Sequence, residues 1–233
     1  MQVIVPAAGK GTRLRPVTDE KPKGLVSILD RPLLAYVFDQ LEMLPVDEVI
    51  VIVGYKGEQI ISHFGEHVGE LSLRYVWQEE QRGLAHAIAQ ARHVVTDDVL
   101  VVNGDNVFCD SIEPILTPDA DGAVLVEDVT REQAKQTGVV TVTDGFVDAI
   151  VEKPANPPTT LATTGAYLLP HAAMDICHTL QPASTGETEV AQVISALLES
   201  GYRFRAVPYA GWRQNVNTVD DVALVEERLA GRL

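Results

Sequence analysis

The first 23 residues constrain this chain more than any other segment. An apolar run at residues 3–5 leads directly into the loop sequence PAAGKGTRLRP, and Pro22 and Lys23 follow after a short polar stretch. A β-branched apolar run is typical of a buried strand, whereas glycine and proline interrupt regular structure. The segment therefore predicts a strand that opens into a flexible, cationic loop.

The chemistry of this loop suits phosphate. Gly9 and Gly11 allow positive φ and a close approach of the backbone, so several N–H groups can converge on phosphate oxygens. Arg13 and Arg15 add planar guanidinium groups, and Lys23 adds a point charge. These residues predict a triphosphate site. The alternative is a glycine-rich surface turn with solvated arginines.

Two common nucleotide-binding motifs do not match the loop. The Gly-Lys-Ser/Thr ending that places a hydroxyl group on magnesium is missing. The third glycine of the dinucleotide fingerprint is also missing, and Pro16 prevents a helix from starting directly after the turn. The loop is therefore neither of these two motifs.

Ordered motifs along the chain resemble those of the sugar-1-phosphate nucleotidyltransferases, the family that contains glucose-1-phosphate thymidylyltransferase and UTP:glucose-1-phosphate uridylyltransferase. The resemblance begins with GKGTRLRPVT at residues 9–18 and KPK at residues 21–23. The later segments are Gln78 with GLAHA at 83–87, GDN at 104–106, EKP at 152–154, TG at 164–165 and WRQNVNT at 212–218. The resemblance therefore covers nearly the whole chain.

The composition fits one compact cytoplasmic domain. The chain has 233 residues, and 46% of them are hydrophobic, which is enough for a sizeable core. No stretch reaches the ~20 continuous apolar residues of a membrane-spanning helix, and the N-terminus lacks the pattern of a signal peptide. Cys109 and Cys177 lack the spacing of a zinc or disulfide motif and predict buried, weakly reactive thiols. We expect no membrane partner.

The charge of the chain argues against nucleic acid as a partner. The net charge is −15, from 33 acidic and 18 basic residues, whereas binding to a nucleic-acid backbone needs a basic surface. An acidic surface is typical of a salt-adapted, halophilic protein, in which salt screens self-repulsion, and also of an ordinary acidic cytosolic protein. The sequence leaves both interpretations open, and it leaves a homo-oligomer open.

Apolar strands alternate with amphipathic segments along the chain. We predict strands at 2–6, 48–53, 73–77 and 98–102 and helices at 33–44, 57–64, 83–93 and 219–230. Shorter strands are predicted at 121–127, 138–143, 146–152 and 161–168, with a hairpin turn at Asp144-Gly145 and a helix at 187–200. The pattern predicts an α/β fold with a doubly wound, Rossmann-like, mainly parallel sheet flanked by helices.

The resemblance implies the nucleotide-diphospho-sugar transferase fold, with a mixed, mainly parallel sheet in one domain over residues 1–233. Residues 1–110 would form mainly the nucleotide-binding half, and residues 111–233 mainly the sugar-binding half. Some relatives continue into a C-terminal β-helix that carries a second function. Only residues 219–233 follow the last motif here, so we expect the short form without a second activity.

The resemblance also implies the nucleotide contacts. Gln78 would read the base, because a carboxamide can pair with N3–H and the adjacent carbonyl of uracil or thymine. Gly83 would approach the base with its backbone at the start of a helix. The alternative for Gln78 is a surface glutamine. The expected nucleotide-binding residues are Ala8, Gly9, Gly11, Thr12, Arg13, Lys23, Gln78 and Gly83.

The sugar phosphate is expected to meet a second set of residues. The resemblance implies that Glu152 bonds sugar hydroxyl groups and that Lys153 contacts the sugar phosphate, which suits both side chains. A solvated ion pair is the alternative for these two residues. The full expected set is Asn106, Gly138, Glu152, Lys153 and Thr164.

A magnesium site is predicted around Asp105. This carboxylate follows a predicted strand, where a doubly wound sheet presents functional groups, and Mg²⁺ prefers such hard oxygen ligands. The alternative is an Asp-Asn turn that ends the strand. Many relatives have an aspartate as second metal ligand after the residue that matches Trp212, but Asn215 stands at that position here. An amide oxygen can coordinate Mg²⁺ without the charge, so Asp105 and Asn215 are the expected ligands.

The resemblance implies transfer of a nucleotidyl group from UTP or dTTP to a sugar-1-phosphate, with glucose-1-phosphate as the first expectation. Positioned cations and Mg²⁺ would stabilise charge during an in-line displacement that releases pyrophosphate and forms an NDP-sugar. The expected catalytic residues are Arg13, Arg15, Lys23, Asp105 and Lys153. The alternatives are an inactive nucleotide-sugar-binding regulator, a glycosyltransferase and a cytidylyltransferase for another phosphate substrate.

Overall fold

The computed structural model of the protein describes residues 1–116, 119–183 and 186–231. Within them, the strands are β1 (Gln2–Pro6), β2 (Ser27–Ile28), β3 (Arg31–Pro32), β4 (Glu48–Val53), β5 (His67–Val68), β6 (Leu71–Trp77), β7 (Val99–Val102), β8 (Asn106–Phe108), β9 (Gly122–Asp128), β10 (Gly138–Thr143), β11 (Phe146–Glu152), β12 (Leu161–Leu169), β13 (Phe204–Pro208) and β14 (Arg213–Asn215). The helices are α1 (Val17–Glu20), α2 (Leu33–Glu42), α3 (Gly57–Phe64), α4 (Leu84–Ala89), α5 (Arg131–Ala134), α6 (Ala173–Thr179), α7 (Val190–Glu199) and α8 (Val219–Ala230).

The predicted elements are present, and several have the predicted bounds. Strands β1, β4, β10 and β11 and helices α3 and α8 begin and end where the sequence pattern placed them. The helix predicted at 83–93 is instead α4 followed by a 3₁₀ turn at Gln90–His93. Helix α7 begins later than predicted because Glu189 caps it reciprocally with Gln192. Helix α6 and strand β13 were not predicted.

The chain divides into two compact units. Unit 1 contains Met1–Gln81, Val102–Ser111 and the segment from Gly211 to the end of the described chain. Its main sheet pairs β1 with β4 and β4 with β6 in parallel, and β5 pairs antiparallel with β6. Residues 3–5 and 49–53 are fully buried, as expected for parallel strands covered on both faces. Strands β8 and β14 form a separate antiparallel pair.

Unit 2 contains Arg82–Val101 and Ile112–Ala210. Its strands are ordered β10-β11-β13-β9-β12-β7. The pairs β10–β11, β11–β13 and β9–β12 are antiparallel, whereas β9–β13 is parallel. The fold is therefore the predicted mixed α/β class. Among the pairs described above, parallel pairing predominates in the main sheet of unit 1, and antiparallel pairing predominates in unit 2. The Asp144-Gly145 turn explains part of the difference, because its positive φ angles of 51° and 81° close the predicted hairpin.

Two further observations concern predictions from composition. Among the described residues, no helix is long and apolar enough to cross a membrane. Cys177 is buried, and burial raises the pKa of its thiol to about 12, as expected for a weakly reactive cysteine. Cys109 is only half-buried, so the prediction of two buried thiols is wrong for this residue. Neither cysteine forms a disulfide bond within the part of the chain that the structure describes.

Candidate active site

The predicted phosphate loop follows β1 in unit 1. Gly11 has a φ of 60°, and a Cβ there would lie 3.0 Å from Cβ of Lys23, so glycine brings the loop against this lysine. The hydroxyl group of Thr18 donates to the carbonyl of Gly11 at 2.8 Å and holds the turn. Gly9 does not use the conformational freedom of glycine, since its φ is not positive and a Cβ there would meet no atom within 4 Å.

The cations of the loop differ in their surroundings. The side chain of Lys23 is 13% exposed, whereas that of Arg15 is 63% exposed and forms an ion pair with Asp19 at 3.0 Å. Arg13 is also exposed, as is Thr12. Only Lys23 among the three predicted phosphate-binding cations is therefore held in a largely buried network.

Lys23 joins the predicted phosphate site to the predicted metal site. Its ammonium group donates to Oδ2 of Asp105 at 2.7 Å and to Oδ1 of Asn217 at 2.9 Å. The amide nitrogen of Asn217 donates to Oδ1 of Asn215 at 2.8 Å. The backbone reinforces this arrangement, because the amide of Val216 donates to the carbonyl of Asp105 at 2.8 Å. The structure thus brings together three predicted residues and adds Asn217, which was not predicted.

The oxygen atoms of this network fit a magnesium ion. Oδ1 of Asp105 is buried and has no hydrogen-bond partner in the part of the chain that the structure describes. Such an atom needs a partner, and a buried carboxylate oxygen suits a cation. No group of three or more His, Cys, Asp or Glu residues among the described ones forms a metal cage. This is compatible with Mg²⁺, which is usually held by one or two carboxylates together with water and substrate phosphates.

Gly54 brings two predicted nucleotide contacts close together. A Cβ at this position would lie 2.8 Å from Cβ of Ala8 and 2.9 Å from the backbone oxygen of Gln78, so only glycine fits between them. Gln78 is 3% exposed, and its backbone N–H donates to the carbonyl of Val53 at 2.7 Å. It is therefore not the surface glutamine that was the alternative. Its proposed contact with the base stays a prediction.

Asn106 and Arg213 pair across β8 and β14. The guanidinium group of Arg213 donates to Oδ1 of Asn106 at 2.6 Å. Asn106 is 1% exposed, and its Nδ2 has no hydrogen-bond partner within the described ranges. The structure thus places this predicted sugar-phosphate residue in the interior of unit 1, and its contact with a ligand stays a prediction.

In unit 2, Gly83 precedes helix α4. Its φ is 108°, and a Cβ there would lie 2.4 Å from the backbone oxygen of Thr188. The carbonyl of Thr188 accepts from Ala85 N at 3.0 Å, and its hydroxyl group accepts from His86 N at 3.0 Å. Thr188 therefore satisfies two of the free N–H groups at the start of this helix.

Glu152 is the last residue of β11 in unit 2, and Lys153 follows it directly. Their side chains form an ion pair at 3.3 Å, and Lys153 has a positive φ of 43°, which is uncommon outside glycine. Burial raises the pKa of the Glu152 carboxyl, the charges of Glu189 and Glu187 raise it further, and the ammonium group of Lys153 opposes them. The pair is therefore not a fully solvated one.

The two remaining sugar-site residues have structural contacts. A Cβ at Gly138 would lie 2.9 Å from Oε2 of Glu152 and 3.0 Å from Oγ1 of Thr163, so the missing side chain leaves room for the carboxylate. Thr164 is 1% exposed, and its hydroxyl group donates to the carbonyl of Leu125 at 3.0 Å. A sugar contact of Thr164 stays a prediction.

Comparison with known proteins identifies the family. A model of the nucleotidyl transferase family matches residues 2–224. The chain is 38% identical to the UTP–glucose-1-phosphate uridylyltransferase AglF of Haloferax volcanii, and the match covers 98% of this chain and 96% of that protein. The chain therefore belongs to the nucleotidyl transferase family.

Other relatives are longer. The chain is 33% identical to the low-salt glycan biosynthesis nucleotidyltransferase Agl11 of Haloferax volcanii, over 95% of this chain and 64% of that protein. It is 32% identical to the bifunctional protein GlmU of Methanococcus maripaludis, over 100% of this chain and 55% of that protein. The chain thus spans little more than half the length of these relatives.

Solved structures confirm the fold. A Bacillus anthracis protein assigned as a glucose-1-phosphate thymidylyltransferase matches with a TM-score of 0.87 and 24% identity, over 98% of this chain and 95% of that one. A UDP-glucose pyrophosphorylase in complex with UDP-glucose matches with a TM-score of 0.88 and 20% identity, over 100% and 99% of the two chains. The predicted nucleotide-diphospho-sugar transferase fold is confirmed.

Proposed function

We propose that the protein transfers a nucleotidyl group from UTP or dTTP to a sugar-1-phosphate, with UTP and glucose-1-phosphate as the first pair to test. The observation that carries this proposal is the similarity to AglF along nearly the full length of both chains, since AglF is named a UTP–glucose-1-phosphate uridylyltransferase. The cytoplasm, where nucleoside triphosphates are available, is the proposed compartment.

The reaction is an in-line displacement at the α-phosphorus of the nucleotide. An oxygen of the sugar phosphate forms a bond to this phosphorus while the bond to the bridging oxygen of the β-phosphate breaks, and pyrophosphate leaves with the electron pair. No general base is needed, because the attacking phosphate is already ionised. The main task of the protein is to hold two repelling anions and to stabilise the developing charge.

The residues of unit 1 are suited to the nucleotide. Lys23 neutralises phosphate charge from a largely buried position, and Arg13 and Arg15 add charge from exposed positions. Asp105 and Asn215 would hold Mg²⁺, which when bound supplies positive charge to phosphate oxygens. Oδ1 of Asp105, which has no hydrogen-bond partner among the described residues, supports this role.

The residues of unit 2 are suited to the sugar phosphate. Lys153 would bind the phosphate group, and the carboxyl group of Glu152 would bind sugar hydroxyl groups. The positive φ of Lys153 supports a functional role, because strained backbone at a non-glycine residue is concentrated at functional sites.

A screen for pyrophosphate release tests the activity. Each of several sugar-1-phosphates is combined with UTP, dTTP, CTP, ATP or GTP, and the NDP-sugar is detected by mass spectrometry. We expect the largest rate with UTP or dTTP. Lys23→Met should abolish most turnover, whereas Lys135→Met removes the lysine of an exposed ion pair and should retain it. Nucleotide binding without any pyrophosphate release would instead favour a regulatory homologue.

Gln78 provides the test of base recognition. Loss of its side chain removes a buried paired contact, so Gln78→Ala should reduce the preference for UTP over ATP and GTP by ~1–3 kcal/mol in kcat/KM. An unchanged ranking of the nucleotides would exclude Gln78 from base recognition.

A further inference from the structure

The carboxylate of Asp221 gathers four hydrogen-bond donors at the start of helix α8. Its Oδ2 accepts from Asn217 N at 2.9 Å, from Thr218 N at 2.8 Å and from Thr218 Oγ1 at 2.9 Å. Its Oδ1 accepts from Nε2 of Gln214 at 2.7 Å. All four donors belong to the short segment 214–218, which leads from β14 into the helix.

These contacts exceed what the helix cap requires. Thr218 and Asp221 form a reciprocal capping box, which accounts for the bonds between these two residues. The bonds from Asn217 N and from the side chain of Gln214 come from residues before the cap and are no part of that motif. An ionised carboxylate is an acceptor with about four lone-pair sites, so one side chain satisfies all these donors.

The segment that Asp221 holds carries the predicted metal ligand. Gln214 directly precedes Asn215. Its Nε2, which is bonded to Asp221, also donates to the backbone carbonyl of Asn215 at 3.0 Å. Two residues after Asn215, the backbone N–H of Asn217 donates to Asp221. Asp221 therefore fixes the chain both before and after Asn215.

The side chain of Asn217 extends the network to the phosphate site. A lysine has only donors, so the oxygen of the Asn217 amide must face Lys23 and its nitrogen must face Asn215. The hydrogen bonds of 2.9 Å to Lys23 and 2.8 Å to Asn215 agree with this orientation. A continuous hydrogen-bonded path therefore runs within unit 1 from Asp221 through Asn217 to Asn215 and Lys23.

We propose that Asp221 is a positioning residue that holds the segment 214–218, and thereby directs the side chains of Asn215 and Asn217 for binding of the divalent cation. The inference rests on the proposed function for the identity of the ligand. In this role Asp221 would act through the segment 214–218 and not through direct contact with substrate or metal. In Asp221→Asn, an NH₂ group would face some of the donors, so the segment would lose its fixed conformation while the helix keeps a residue of the same shape.

The test is the affinity for Mn²⁺, measured by electron paramagnetic resonance with the full chain in the presence and absence of UTP. Asp221→Asn should weaken Mn²⁺ binding by about tenfold or more, the usual loss when a residue that orients a metal ligand is changed. Gln214→Leu, which removes one donor and leaves the capping box intact, should weaken it in the same direction by a smaller factor.

Two controls separate positioning from general effects. Asp220→Asn removes the same charge from the same helix turn at an exposed position, so it should bind Mn²⁺ like the wild type. Thr218→Ala breaks the cap but leaves the bonds from Asn217 N and Gln214, so it should lower the melting temperature more than the metal affinity. Thermal unfolding of every variant shows that it is folded.

The proposal is overturned if Asp221→Asn binds Mn²⁺ no more weakly than Thr218→Ala, because Asp221 would then act only as a cap. It is also overturned if the wild type binds no Mn²⁺ with or without UTP. Failure of the proposed function has a different result: Mn²⁺ binding follows the predicted order of variants, but no pyrophosphate is released.

Discussion

The ammonium group of Lys23 joins the predicted phosphate site to the predicted metal site. It lies within hydrogen-bonding distance of Asp105 and Asn217, and its side chain is largely buried. The Coulomb attraction is larger in such a place than at the surface, but desolvation opposes it, and loss of one partner leaves the other charge uncompensated. Changes at Lys23 are therefore expected to affect Asp105 as well as the proposed binding of phosphate.

The prediction that Asn215 is a metal ligand can be tested by substitutions that add a charge or remove the amide. Asp105→Ala should nearly abolish turnover, because it removes the only carboxylate of the predicted ligand pair. Asn215→Asp should retain a functional site, since the added charge strengthens attraction for the cation. Asn215→Leu should lose activity without unfolding.

Turnover across a Mg²⁺ titration decides this prediction. Thermal unfolding of the three variants is the control for folding. A normal Mg²⁺ dependence in Asn215→Leu would remove this residue from the metal site.

The raised pKa of Glu152 predicts a pH-dependent stability. A carboxyl group whose pKa is higher in the folded than in the unfolded state stabilises the fold fully below its unfolded pKa. This contribution is lost as the pH rises from the ordinary value of 4.5 through the raised folded value. The stability of Glu152→Gln relative to the wild type should therefore increase with pH across this range.

Urea unfolding of both proteins at constant ionic strength and a series of pH values measures this difference. Glu132→Gln, at a side chain that is 82% exposed, serves as the control for loss of one carboxylate at the surface. A difference in the free energy of unfolding between Glu152→Gln and the wild type that stays constant from pH 4.5 upward would contradict the raised pKa of Glu152.

Residue types in the site could be predicted from the sequence, but many of their partners could not. Lys23, Asp105 and Asn215 belong to recognisable motifs, whereas the bond between Lys23 and Asn217 joins residues 194 positions apart. The role of Asp221 was not predicted. Its only signal was the Thr-x-x-Asp spacing of a helix cap, which does not show that Asn217 and Gln214 also bind there.

At the scale of elements, hydrophobic periodicity predicted most strands and helices. Strands β1 and β4 each contain an uninterrupted run of valine and isoleucine, which favours a buried strand. Strand β13 has the sequence FRAVP, which is too short and too mixed to be distinguished from a loop by periodicity. Its strand structure depends on parallel pairing with β9, which the sequence does not reveal. Helix α6 has only two turns and no side-chain cap, so local signals for it are weak.

Gly83 gives an element-scale prediction. Gly83→Ala would force a Cβ into the carbonyl of Thr188 and would strain the backbone at positive φ. Gly201→Ala meets the same kind of strain at a φ of 89°, but with no atom within 4 Å. We expect Gly201→Ala to lower the free energy of unfolding by about 1–3 kcal/mol and Gly83→Ala to lower it further.

Denaturant unfolding of both variants measures the additional cost of the contact with Thr188. Equal losses would show that the start of α4 moves to accommodate the methyl group. Circular dichroism of each variant confirms that the folded state is retained before the comparison is made.

At the scale of the whole molecule, the excess of acidic over basic residues determines the electrostatics of the surface. The net charge of −15 produces self-repulsion that salt screens, with a Debye length of about 10 Å at 0.1 M and about 3 Å at 1 M. Two of the relatives come from Haloferax volcanii. We therefore propose that the protein is salt-adapted.

The corresponding prediction is a melting temperature that rises with KCl into the molar range. Differential scanning fluorimetry across a KCl series measures it. A melting temperature that does not respond to KCl would contradict the salt-adapted interpretation and leave an ordinary acidic protein.

The assembly of unit 1 from three separated segments has a consequence for synthesis. The ribosome completes Lys23 long before it reaches Asn217, and at about 5–20 residues per second the delay is roughly 10–40 seconds. A nascent chain therefore carries Lys23 without its amide partner until Asn217 has been added. Transcripts that end before Asn217 would yield chains that cannot form this bond, however well the earlier segments fold.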